Sequence, residues 1–173
     1  RLAQFLNDNT EFYSLQESSS YDESLKRVLF FKKAIESNDV YRVFYMDGIP
    51  IRKEETAQLI FRLVWYGSNL DVNREVNNGR GPVDYKVSMG DADKTLVEFK
   101  LAKNTKLKQN LKNQVKIYEA ANNANQSLKV ILYFTEKEKE SVLSILEELK
   151  LQDDENIILI DACDNKSSAS NVK

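Results

Sequence analysis

The chain contains no histidine. Every mechanism that would draw on one of its own imidazoles is therefore excluded: Ser-His-Asp and Cys-His hydrolysis, His-based phosphodiester cleavage and His-ligated zinc chemistry. Cysteine is nearly absent as well. The single Cys163 rules out an internal disulfide framework and any multi-cysteine zinc or iron–sulfur site. It fits a reducing compartment, and a cytoplasmic location is expected. No apolar run approaches the roughly 18 residues that a spanning helix needs, so no membrane partner is expected, and no secretory signal opens the chain. The sequence begins at Arg1 rather than Met, as a fragment or processed form would. What is present, 173 residues with 42% hydrophobic and 30% charged side chains, is the composition of a globular domain large enough for a real core. Its chemistry has to run on carboxylates, lysines, hydroxyls or a carboxylate-bound metal.

The net charge of −2 hides an uneven distribution. Between Phe99 and Tyr118 there is no acidic residue, while Lys100, Lys103, Lys106, Lys108, Lys112 and Lys116 all fall there; the stretch Glu136–Glu155 is dominated by acids. A basic stripe inside a neutral average is an electrostatic footprint for a polyanion, and equally the pattern of a solvated helix face.

Residues 1–50 read as a helical N-terminal extension, 51–163 as the main domain and 164–173 as a flexible polar tail. In the extension, Ser14–Ser20 is a loop by composition. Tyr21–Glu36 is predicted helical from Leu25, Val28, Leu29 and Ile35, with Asp22 as N-cap. Val40–Tyr45 is predicted as a short strand before a turn at Asp47-Gly48. In the main domain, Lys53–Tyr66 is predicted as a largely buried helix, apolar on most sides. Strands are predicted at Asp71–Val76, Val83–Ser88 and Thr95–Leu101, with turn chemistry at Asn77-Asn78-Gly79 and Gly90-Asp91. Next come a helix over Lys106–Asn122, a strongly hydrophobic strand over Leu128–Phe134, an amphipathic helix over Glu138–Leu149 and a strand over Asn156–Ile160. The order α-β-β-β-α-β, then α-β, predicts an α/β fold with a mixed sheet flanked by helices.

Three ionisable residues stand out by placement. Side chains two apart on a strand share a face, so Glu98 and Lys100 project together while Phe99 enters the opposite layer. If the strands pair as a hairpin across Met89–Lys94, Asp84 lies near Glu98. Two converging carboxylates repel each other, and a divalent cation relieves the repulsion. Oxygen ligation without His or Cys suits Mg²⁺ or Mn²⁺, with the neighbouring lysine acting on water or on a phosphate. As plain structure, the same residues would be a surface ion pair and a turn former.

Asp84 with Glu98-Phe99-Lys100 resembles the D…E-x-K signature of the PD-(D/E)xK nuclease superfamily, although Val83 separates Pro82 from Asp84. Gln114 and Tyr118, in the following helix, resemble the Q-x-x-x-Y motif of its RecB-like branch. The text from Arg74 to Lys86 is similar to bacterial proteins of that superfamily. The resemblance covers roughly residues 51–135 and implies a restriction-endonuclease-like αβββαβ core. It implies a Mg²⁺-dependent (or Mn²⁺-dependent) nuclease that hydrolyses phosphodiester bonds, acting on DNA in a defence, restriction or repair system. On that resemblance Asp84 and Glu98 bind the metal, the Phe99 carbonyl adds a ligand, and Lys100 acts on the nucleophilic water or the scissile phosphate. Gln114 and Tyr118 position these groups. The superfamily usually adds an acidic residue from the first core helix. Glu55, which begins Glu55-x-x-Gln58, is the choice here, with Glu54 and then Glu75 as alternatives; acids in a first helical turn are also common for electrostatic reasons alone. Lys86, Arg80, Lys103, Lys106 and Lys108 are the expected phosphate contacts. A homodimer or a protein partner is compatible with this reading. The competing readings are a catalytically retired nuclease fold serving as a scaffold, and an interaction domain whose lysine helix binds an acidic partner.

Overall fold

A computed structural model describes residues 19–77, 82–90, 92–120 and 126–166, without the side chains of 75–77, 82, 83 and 114–120. Helix α1 (Ser20–Ser37) is capped by Ser19, whose hydroxyl accepts the Asp22 amide at 3.0 Å. Asp22 is thus not the cap itself but sits three residues inside, where an acid favours the positive end of the helix. The buried stripe of α1 is Ser20, Ser24, Val28, Phe31 and Ile35. Phe31 replaces the predicted Leu29, which is exposed, because steps of four and three residues keep one side of the helix against the core. Serines at the first two stripe positions let the helix start come close to the sheet, where the Ser20 amide and hydroxyl both donate to Asp93 at 2.6 Å.

Val40–Phe44 forms a 3-10 helix rather than the predicted strand. The turn burying Tyr41 and Phe44 fits a three-residue repeat, not the alternation of a strand. A small hairpin follows, β1 (Tyr45–Met46) and β2 (Ile49–Pro50), closed by Asp47 and Gly48 with φ of 52° and 75°. Both turn residues are left-handed, as a tight two-residue hairpin requires, and Asp-Gly meets that demand cheaply.

Helix α2 (Glu55–Leu63) is shorter and more exposed than predicted. Ala57 and Phe61 are buried in it, while Leu59 and Leu63 face outward, as does Tyr66 beyond its end. The main sheet then runs β3 (Asp71–Asn77), β4 (Pro82–Met89) and β5 (Asp93–Leu101) as an antiparallel meander. Helix α3 (Leu107–Ala120) crosses over to β6 (Gln126–Tyr133), and α4 (Glu136–Glu148) to β7 (Ile157–Asp161). The strand order is β3-β4-β5-β6-β7, with β5, β6 and β7 parallel. The chain is therefore α/β: a mixed five-stranded sheet and a two-stranded sheet, with four helices among the described residues. No helix among them is long and apolar enough to cross a membrane.

Strand alternation splits the core in two. Tyr85, Val87, Val97, Phe99, Leu128, Val130, Ile158 and Ile160 join Val28, Phe31, Ile35, Phe44 and Phe61 on the face covered by residues 20–65. Residues 20–50, set apart in the sequence, thus contribute to the same cluster as the sheet. Its centre is aromatic, with the Phe61 ring 5.0 Å from Phe99, 5.4 Å from Tyr85 and 5.4 Å from Phe31 in tilted or edge-on contacts, the arrangement ring quadrupoles favour. On the other face Ile131 and Tyr133 pack with Leu107 and Leu111 of α3 and Val142 and Leu146 of α4. Glu98, Lys100 and Lys129 alternate with the first set and so belong to this second face.

Candidate active site

The β4–β5 ladder runs from Met89↔Asp93 to Tyr85↔Val97 and stops there, although β4 reaches back to Pro82 and β5 continues to Leu101. Beyond the stop, carboxylates stand where strand carbonyls would be. The Phe99 amide donates to Asp84 Oδ2 at 2.5 Å, and the Leu101 amide points at Glu54 Oε1 at 3.4 Å. Backbone groups of residues two apart on a strand face the same edge, and the N–H and C=O of one residue face it together. The Phe99 carbonyl therefore opens toward the same gap.

Across the other edge of β5, Glu98 pairs in register with Lys129. The Lys129 ammonium contacts Glu98 Oε2, and the Lys100 ammonium lies 4.0 Å from that same oxygen. Two carboxylates and two lysines thus share one patch. Burial pushes the Asp84 carboxyl above its ordinary value, and the charge of Glu98 adds to this; the Phe99 amide, Lys100 and a hydrogen bond from Gln58 pull it back. Burial likewise pushes the Lys129 ammonium below the ordinary lysine value, with Glu98 opposing. In both cases desolvation outweighs the partners.

Helix α2 supplies the third carboxylate through its phase. Glu54, Gln58 and Phe61 follow the spacing that buries Ala57 and Phe61. Glu55 falls in line with Leu59 and Arg62 on the exposed side. Glu54 also receives the Asn104 side-chain amide at 3.2 Å. Glu55 instead borders an apolar cleft beside the β1–β2 hairpin, with Met46, Ile49 and Pro50. The expected residue, Glu55, thus lies one helical position, about 100° of rotation, away from the strand gap, and the first alternative, Glu54, faces it. Gln58 is the hub beneath Asp84. Its backbone carbonyl accepts the Tyr85 hydroxyl at 2.5 Å, and its side-chain oxygen accepts from Arg74 at 3.3 Å.

The structure brings Asp84, Glu98, Phe99 and Lys100 together. Lys86, two residues from Asp84, is half-buried on β4. The Lys103 ammonium donates to the Ile51 carbonyl and lies 5.6 Å from the Phe134 ring centre. Lys106 is exposed, and Lys108 sits 2.6 Å from both carboxylate oxygens of Glu148. Lys103, Asn104, Thr105, Lys108, Lys137 and Glu138 line a cavity of about 450 Å³, and the Asn104 in its wall is the residue that bonds Glu54. Arg80 lies outside the described residues, as do the side chains of Glu75, Gln114 and Tyr118; the backbone of the last two is on α3. Lys129 is the candidate that sequence reasoning passed over, whereas Gln58 entered it only as the end of the Glu55-x-x-Gln58 spacing. The signal for Lys129 was a lysine inside the apolar run Leu128–Phe134.

The donors at the gap are oxygens alone, the kind that would suit a hard divalent cation. Among the described residues no group of three or more acidic, His or Cys side chains is gathered to hold a metal. Asp84 and Glu98, with the Phe99 carbonyl at the gap, offer oxygen donors only, and a cation held there would take the rest of its shell from water. That is the habit of Mg²⁺ rather than of zinc.

The chain belongs to the family described as a domain of unknown function, DUF8371, which matches residues 20–136. The match runs from α1 through β6 and takes in Glu54, Asp84, Glu98, Lys100 and Lys129. No curated protein and no solved structure matches the chain.

Proposed function

We propose that this member of the family is a metal-dependent nuclease whose active site is the parting of β4 from β5, in the manner of the PD-(D/E)xK superfamily. The observation that carries the reading is that Asp84 takes the Phe99 amide in place of a strand partner, with Glu98 and Lys100 beside it. Asp84, Glu98 and the Phe99 carbonyl would hold Mg²⁺ or Mn²⁺, with Glu54 at the edge of the shell. A bound cation would lower the pKa of water and neutralise charge on a phosphate. Lys100, on the second face beside Glu98, offers its ammonium to the scissile phosphate or the attacking water. The lysine-lined cavity next to Asn104 would take the phosphodiester backbone. An exposed pair such as Lys108–Glu148 is weak enough to exchange for phosphate. DNA is the favoured substrate.

One observation favours a second reading, a retired nuclease fold serving as a binding domain: Glu98 already has two ammonium groups at one oxygen, so its charge is balanced without a metal. Cleavage of supercoiled plasmid, single-stranded DNA and RNA in Mg²⁺, Mn²⁺ and EDTA separates the two. Metal-dependent cleavage that falls at least about a thousandfold in Asp84→Ala and Lys100→Ala supports the nuclease. Absence of cleavage, together with no calorimetric Mn²⁺ binding, supports the binding domain.

A further inference from the structure

A strand with paired neighbours on both edges and helices over both faces is ordinarily apolar throughout. The interior strand β6, between β5 and β7, is not: Lys129 sits in it at 6% exposure. Burying an ammonium is costly unless a partner holds it, and the only carboxylate bonded to it among the described residues is Glu98, its register neighbour on β5. Asp84 and Lys100 are the other charged groups near it. The two lysines of the site are not equivalent. The Lys100 side chain is 20% exposed and the Lys129 side chain 7%, so Lys100 is open to an incoming ligand while Lys129 is committed to the carboxylate from below.

We propose that Lys129 is the resident counter-ion of the carboxylate site: it holds and neutralises Glu98 when no divalent cation is bound, and thereby keeps the site's cation affinity low. The proposal rests on the reading of Asp84 and Glu98 as cation ligands. Its physical basis is competition for one carboxylate. The ammonium supplies the positive charge that a metal would otherwise supply, so Glu98 stays in register without metal, and an arriving cation meets a fixed like charge. A unit charge within several ångström of a dication changes affinity by well over tenfold at an effective dielectric of about 20. A purely structural salt bridge predicts something different: loss of stability on removing Lys129, with no gain in cation affinity.

The test is a calorimetric Mn²⁺ titration of the whole chain, with thermal melts in Mn²⁺ and in EDTA, for wild type, Lys129→Met, Lys129→Gln, Lys129→Arg and Asp84→Asn. The expected result is that Lys129→Met binds Mn²⁺ at least roughly tenfold tighter than wild type. It should melt lower than wild type in EDTA and gain more from Mn²⁺, and Lys129→Arg should return to wild-type affinity. Mn²⁺ affinity in Lys129→Met equal to or weaker than wild type overturns the proposal. If Asp84→Asn abolishes binding in that same case, the cation site itself stands. Should wild type bind no Mn²⁺, binding that emerges in Lys129→Met upholds the counter-ion role, and its absence in both overturns the proposal together with the cation site. Lys129→Gln, polar but uncharged, carries the same comparison if Lys129→Met does not fold.

Discussion

The two edges of β5 behave oppositely. Toward β6 the parallel ladder is continuous from Thr95↔Gln126 to Leu101↔Leu132. On the face toward residues 20–65 its side chains are apolar over Val97–Leu101 and Leu128–Leu132, while the other face carries Glu98, Lys100 and Lys129. Toward β4 the antiparallel ladder ends at Tyr85↔Val97, and the next amides on that edge, Phe99 and Leu101, face the carboxylates of Asp84 and Glu54. One edge satisfies its backbone with backbone; the other uses side chains that carry charge. Buried amides need acceptors in either case, but a carboxylate acceptor keeps lone pairs and negative charge for something else. On the nuclease reading, a strand that is half scaffold and half site would hold its chemistry at a rigid position.

Substitutions that act on one edge at a time sharpen the contrast. The largest effect on stability is expected on the intact side. Leu132→Ala removes a fully buried side chain of β6 and should cost about 2–5 kcal/mol in urea unfolding, with Mn²⁺ affinity unchanged. On the open side, Glu54→Gln should lower cleavage by roughly 10–100-fold, the usual cost of losing a group that supports a metal shell. Glu55→Gln, one position away on the exposed face, should match wild type. Equal effects at 54 and 55 would break the helix-phase argument.

Asp84→Asn should do the reverse of a core substitution, losing activity while raising the melting temperature. The fold raises the Asp84 pKa, so the native state favours the protonated acid. That contribution to stability is fully present below the ordinary carboxylate value of about 4 and is lost as pH rises through the raised native value. Asparagine keeps an acceptor for the Phe99 amide without the charge, so the variant should be the more stable at pH 7, and the two melts should converge near pH 4. A variant that melts lower than wild type at pH 7 would show that the charge helps rather than strains the fold. The smallest effect is expected at Lys108→Ala. Its pair with Glu148 is about half exposed on both sides, and removing it should shift stability by less than about 1 kcal/mol, with the shift fading at high salt.

The element order and the Asp84/Glu98/Lys100 grouping were legible because both follow from short-range periodicity. Alternation puts residues 98 and 100 on one face, and a hairpin brings 84 to 98. The choice between Glu54 and Glu55 was not legible. Leu59 and Leu63 fall in the helix read from the sequence as largely buried but are exposed, by 73% at Leu63, so the apolar pattern of α2 did not reveal its phase. Val40–Phe44 misled for a related reason: a β-branched and aromatic stretch has strand propensity, and tertiary packing of Tyr41 and Phe44 overrode it.

The sequence by itself determined the alternation of helices and strands, the exclusion of histidine and multi-cysteine chemistry, and which residues of β5 share a face, since these depend on composition and on the fixed two-residue pleat. Only the tertiary structure decided that β4 parts from β5 at Asp84, that Glu54 rather than Glu55 meets the gap, and that Lys129 reaches Glu98 from the neighbouring strand. Each of those depends on how separate elements are docked, and docking is set by side-chain packing between segments far apart in the chain, which no local period encodes.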